Sequence, residues 1–146
     1  MNALRFPLVL CVGGLLFFGA ITPALASGAR CELTAIEASN NEKGIDKELA
    51  SIKELTSPPL SATYTRFKFI GRVDGDLEVD AQQELLPAKG YPTQLTFKGE
   101  KDGKLQLKIN LTSLKVNTDV GIKPGGTFMF ATKSGFLLAV SCDKKK

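Results

Sequence analysis

Phe136-Leu137-Leu138-Ala139-Val140 runs near the end of the chain without a polar side chain between its members, and Ser141-Cys142 follows directly. An unbroken apolar run of this length, entered through the turn signal Ser134-Gly135, reads as a β-strand covered on both faces. A strand buried on both sides needs partners in both directions, so the rest of the chain must supply at least two layers around it. Cys142 at its end has a counterpart in Cys31, which opens the first strand-like segment, residues 31–38.

Residues 1–26 read as an address. Arg5 precedes an apolar stretch over 8–21, Pro23 breaks it, and Ala24-Leu25-Ala26 supplies the small-x-small cleavage pattern of a secretory signal peptide. The stretch is shorter than the ~20 residues that span a bilayer. A mature chain starting at Ser27 is therefore expected to carry no membrane span. Neither Cys11, after Leu10, nor Cys31, after Arg30, follows the small residue that a lipid-anchored cysteine requires. Export, to the periplasm or beyond the cell, puts Cys31 and Cys142 where thiols oxidise and leaves one possible pairing. A Cys31–Cys142 disulfide is expected, with the first and last strands as neighbours.

What remains is one β domain over 27–143 and a basic tail over 144–146. The net charge of +4 and pI near 9.0 look favourable for nucleic acid. Such binding needs a clustered basic surface, however, and here the excess sits in Arg5 and the tail lysines while the other charges alternate in sign. No nucleic-acid partner is expected. The chain has no His, which excludes Ser-His-Asp and Cys-His catalysis and imidazole metal sites. Two mature cysteines cannot form a four-cysteine zinc site. No catalytic group, metal or cofactor is assigned.

Asp46 reads as the N-cap of a short helix, because Leu49, Ile52 and Leu55 follow on one face and Pro58-Pro59 ends it. From Tyr64 the period is two. Phe67 and Phe69 alternate with Arg66 and Lys68, and after Val73-Asp74-Gly75 Leu77 and Val79 alternate with acids. A three-residue loop there would set Phe69 opposite Val79 and Phe67 opposite Ala81, with Arg72–Asp76 and Lys68–Asp80 pairs outside. The same device at Lys101-Asp102-Gly103 pairs Phe97 with Leu107 and Leu95 with Ile109, and sets Glu100 against Lys104. Residues 82–92, with Pro87, Gly90 and Pro92, read as a crossing between sheets. Leu114, Val116, Thr118 and Val120 form a further strand, and residues 127–131 another. The expected fold is mainly β: an antiparallel β-sandwich, or alternatively a small barrel, of about eight strands with one short helix.

Asp74, Asp76, Glu78 and Asp80 place four carboxylates along one strand, but two-residue steps of about 6.6–6.8 Å spread them too far to wrap one Ca²⁺. A solvated face is the better reading. Asn110-Leu111-Thr112 matches a glycosylation sequon that is common by chance. Tyr64, Tyr91 and Pro58-Pro59 are candidates for a groove, or else loop residues over the edge of the core. Pro124-Gly125-Gly126-Thr127 enters a strand rather than a helix, so it lacks the dipole of a phosphate loop.

The order Ala38-Ser39-Asn40, Gly44-Ile45-Asp46, Pro58-Pro59-Leu60-Ser61 and Pro124-Gly125-Gly126-Thr127-Phe128 resembles small exported proteins of myxobacteria-like Gram-negative bacteria. The resemblance implies export and a β-rich fold, and no activity. The favoured function is a non-catalytic exported binding or accessory domain acting on an unknown protein or glycan of the cell envelope. The alternatives are a carboxylate-dependent hydrolase, weakened because the acids fall in turns or on outer faces, and an inhibitor presenting residues 82–92.

Overall fold

The computed structural model describes residues 28–145, so the expected signal peptide, residues 1–26, lies outside the described residues. Among them are nine strands: β1 (Ala29–Ser39), β2 (Gly44–Ile45), β3 (Arg66–Leu77), β4 (Gln82–Leu85), β5 (Thr93–Lys101), β6 (Lys104–Leu111), β7 (Val116–Ile122), β8 (Thr127–Ala131) and β9 (Phe136–Lys144). One sheet has the order β2-β3-β1-β9-β8 and the other β4-β5-β6-β7. The first is curled into an open half-barrel and the second is flat. They pack face to face as a sandwich, with a short helix α1 (Leu60–Thr63) beside the curled sheet.

β1 and β9 form the centre. Cys31 lies directly opposite Cys142, and the two are disulfide-bonded with their Cα atoms 4.1 Å apart. Even-numbered residues of β9, from Phe136 to Cys142, point between the sheets and join Leu33, Phe97, Leu107 and Ile109 in the main core. Leu137 and Ala139 point the other way, into a second core with Ile36, Phe67, Leu49, Ile52 and Leu55. All five residues from Phe136 to Val140 are buried, which explains the run without alternation.

The first expected hairpin does not form. Val73-Asp74-Gly75 lies inside β3, which pairs along its whole length with β1: Leu33 faces Val73 and Cys31 faces Gly75. The glycines there serve close approach. A Cβ on Gly71 would stand 2.1 Å from the carbonyl oxygen of Pro87, and one on Gly75 3.0 Å from Leu85. The chain instead turns at Glu78–Ala81, where Asp80 adopts a positive φ of 62°. The register shifts opposite Ala35/Ile36 because Ile70 is an extra residue. This bulge reverses the facing of β3, so Phe67 and Phe69 serve the outer core while Val73 and Leu77 serve the inner one.

The second hairpin pairs Phe97 with Leu107 and Leu95 with Ile109, as the alternation requires. Its turn is the two-residue Asp102-Gly103, with positive φ at both positions, so Lys101 rather than Glu100 faces Lys104. A bulge at Lys98 restores the parity. The expected helix over Leu49, Ile52 and Leu55 is two 3-10 turns, Lys47–Leu49 and Lys53–Thr56. Spacing of exactly three residues suits a repeat of three per turn, and Ile52 between the turns is extended. Gln82–Leu85 is a strand of the flat sheet, not part of a crossing, and the chain passes between the sheets at Glu78–Ala81 and again at residues 123–126. β9 continues into the lysine tail: Lys144 pairs with Glu100 at 2.9 Å, and the Lys145 amide donates to the Gly28 carbonyl.

Leu107 is 1% exposed, whereas Lys108 on the same strand faces solvent. Leu107→Ala is expected to cost about 2–5 kcal/mol, and Lys108→Ala to stay within about 0.5 kcal/mol. Urea unfolding compares the two, and equal effects would contradict the register. The disulfide closes a loop with a sequence separation of 111, and its stabilisation is expected at roughly 2–4 kcal/mol, less than the ideal chain-entropy value. For a domain of this size that is on the order of 10 °C in Tm. Protein from the exported fraction should show no titratable thiol when unfolded without reductant; two free thiols would contradict the pairing.

Candidate binding site

The outer face of the curled sheet is apolar at one end and charged at the other. Under the 3-10 turns lie Ile36, Phe67, Leu137 and Met129; towards the disulfide end stand Glu32, Arg30, Asp74 and Asp76. Arg72 sits at the boundary. Its guanidinium donates to Thr34 Oγ1 at 3.2 Å and the Glu48 carbonyl at 2.7 Å, and lies 5.5 Å from the centre of the Phe69 ring.

At the apolar end an open hollow of about 370 Å³ runs between β8 and the segment that leads into α1. Met129 and Ala131 form one wall, and Ser57, Pro58, Pro59 and Leu60 the other, with the exposed Lys53 and Glu54 beside them. The second wall is anchored from below by Leu49 and Leu55, at 0% and 1% exposure. It is tied along its length by Thr56 Oγ1 and Ser57 Oγ donating to the Lys53 carbonyl, and Thr63 Oγ1 donating to that of Pro59. Two proline rings offer an apolar surface without a backbone donor. The hollow is therefore apolar along both walls, with Lys53, Glu54 and Ser57 as its polar members.

The same wall is fastened to β3 by Asp46. Its side chain does not cap the 3-10 turn. One carboxylate oxygen accepts from the Phe69 amide at 2.8 Å and the other from the Arg66 guanidinium at 2.6 Å, while the Asp46 amide donates to the Phe67 carbonyl at 3.1 Å. The Phe69 amide, then the Arg66 guanidinium, hold the Asp46 carboxyl below its ordinary value of 3.8.

The residues expected to line a groove are not gathered in one place. Pro58 and Pro59 line this hollow. Tyr64 packs edge-on against Phe67, with ring centres 6.2 Å apart, and borders a neighbouring depression with Ile45. Tyr91 stacks on Phe136 at 4.0 Å, on the inter-sheet side. Asp74 and Asp76 both engage Arg30, and Asp80 stands 3.7 Å from Lys98 on the flat sheet, so neither the Arg72–Asp76 nor the Lys68–Asp80 pair forms. Among the described residues no group of acids, cysteines or histidines is arranged to hold a metal ion. Gly125 of Pro124-Gly125-Gly126-Thr127 donates its amide to the Cys142 carbonyl, and Asn110 lies on the flat sheet beside Gln94. Residues 82–92 are folded in, with Leu85 and Ala88 buried. Met129, Ala131 and Leu60 were not singled out by the alternation. Their signal is Thr127-Phe128-Met129-Phe130-Ala131, a strand with no charge on either face.

The fold and this site define a disulfide-tied β-sandwich with an apolar hollow at one sheet edge. Among the described residues no helix is long and apolar enough to cross a membrane. Comparison with protein-family models, with curated proteins and with solved structures finds no match to this chain.

Because the folded pKa of Asp46 lies below the unfolded value, the unfolded chain binds more protons in that window and stability rises with pH through it. The clamp's contribution is complete above the ordinary carboxyl range and is lost as pH falls through the depressed value. Asp46→Asn should therefore lower the urea midpoint near neutrality and flatten its fall between about pH 4 and pH 2. The same acid slope in both proteins would show that the clamp does not form.

Proposed function

We propose that this chain is a non-catalytic exported binding or accessory domain of the cell envelope, and that the hollow beside β8 is where it engages its partner. The observation that carries the reading is the hollow itself. It is preformed between a sheet edge and a wall held by buried leucines, proline rings and side-chain hydrogen bonds, and apolar pockets on rigid scaffolds are the usual places for recognition. The leader-like residues 1–26 and the resemblance to small exported proteins support a periplasmic or extracellular location.

Isotope-labelled protein starting at Ser27, titrated with separated peptide and glycan fractions of an envelope digest, tests the proposal. Amide shifts are expected at Ser57, Leu60, Met129 and Ala131, and Ala131→Trp, which fills the hollow, should weaken binding by roughly tenfold or more. Shifts confined to other surfaces would overturn the assignment of the site. Turnover of an envelope component by the purified protein would overturn the non-catalytic reading.

A further inference from the structure

Among the described residues β8 is the last strand of its sheet, with β9 its only neighbour. The Thr132 amide donates to the Phe136 carbonyl at 3.0 Å, and the register continues as Phe130 with Leu138 and Phe128 with Val140. In an antiparallel ladder this phase turns the backbone groups of Phe128 and Phe130 towards β9 and those of Thr127, Met129 and Ala131 away from it. Among the described residues no hydrogen bond outside the β8–β9 ladder takes the amide or carbonyl groups of Met129 and Ala131.

The other edges are guarded. β2 covers the β3 edge at Arg66 and Phe67, the Asp46 carboxylate takes the Phe69 amide, and the rest of that strand carries the charges of Arg72, Asp74 and Asp76. β4 is four residues long, carries Glu84 and is followed closely by Pro87. β7 contains Asp119 and ends two residues before Pro124. Short strands, charges and prolines are how sheets prevent an added strand. β8 has no charge and no proline, and its free edge adjoins the hollow.

We infer that β8 takes up an extended, uncharged apolar segment of another polypeptide as an added sixth strand of the curled sheet. The inference rests on the reading of the hollow as the binding site and adds its mode. The free amides and carbonyls of Met129 and Ala131 supply the ladder, and side chains of the added strand alternate between two surfaces. Those on the Met129 side drop between β8 and Pro58, Pro59 and Leu60. Those on the other side cover Phe128 and Phe130, which are only partly buried against the main core. Lys53 and Glu54 cancel in charge beside the hollow, so nothing there selects a charged chain. A second copy is the poorer occupant. A five-residue edge about 17 Å long offers far less than the roughly 800 Å² that each partner of a stable pair buries.

The probe is an acetylated, amidated heptapeptide alternating Val and Thr, compared with the same peptide N-methylated at its amides. With the protein starting at Ser27, the unmethylated peptide should bind, slow hydrogen exchange at the Met129 and Ala131 amides, and lose roughly tenfold or more in affinity on methylation. Met129→Pro deletes an outward amide while leaving the β9 ladder, so it should abolish binding at unchanged Tm. If that variant does not fold, Ala131→Lys places a guarding charge on the same edge and should do the same. Equal binding of both peptides, no binding at about 1 mM, or dimerisation through β8 seen by sedimentation would overturn the inference. Shifts at Ser57 and Leu60 without protection at Met129 and Ala131 would overturn strand addition while leaving the hollow as a binding site.

Discussion

The pairing of β1 with β9 is the constraint on which the other elements depend. It joins the two ends of the domain, and its Cys31–Cys142 bond lies in the core between the sheets, with both cysteines at or below 1% exposure. Because β9 is apolar on both sides, a single sandwich layer would leave Leu137 and Ala139 in water. The chain covers them with Leu49, Ile52 and Leu55 from the two 3-10 turns. Burying each such side chain is worth about 1.5–3 kcal/mol, which offsets the weak local preference of such short turns. The wall of the hollow thus exists because the central strand has a second face to cover.

β3 meets the same requirement by a different device. Without a bulge, Phe67, Phe69, Val73 and Leu77 would all lie on one face. The extra residue Ile70 reverses the facing midway, and Ile70 itself is left 40% exposed. Beyond the bulge, Gly71 and Gly75 let the flat sheet's connection and β4 approach within contact distance. One strand therefore closes the inner core at one end and floors the outer core at the other.

This explains what the sequence discloses and what it conceals. The two-layer β fold and the Phe97–Leu107 register follow from periodicity, since a one-residue slip would turn the apolar side chains of β5 and β6 outward, and the double burial of Phe136 to Val140 follows from the lack of alternation there. The Asp74-Gly75 pair misleads because glycine is equally a turn former and a residue that permits close approach; only the position of Leu85 distinguishes them. Leu49, Ile52 and Leu55 mark a covering segment correctly, but the absence of a fourth-residue partner marks a 3-10 repeat rather than an α-helix. The hollow is the least legible part, because its walls come from residues 53–60 and 127–131, and nothing local brings them together.

The open edge completes the same logic. The outer core needs cover over β1, β9 and β3, and the covering segment is spent over them before it reaches past Met129. Guarding β8 with a charge at Met129, which packs on the outer core, would meet a desolvation cost, whereas the exposed Ala131 has room for one and carries none. A charge on its inner face would fall among Phe128, Phe130 and the main core. A short strand length is the remaining protection, and β8 has five residues. The edge that packing leaves unguarded is therefore also the edge with an apolar surface on each side, which is the arrangement that an added strand would need.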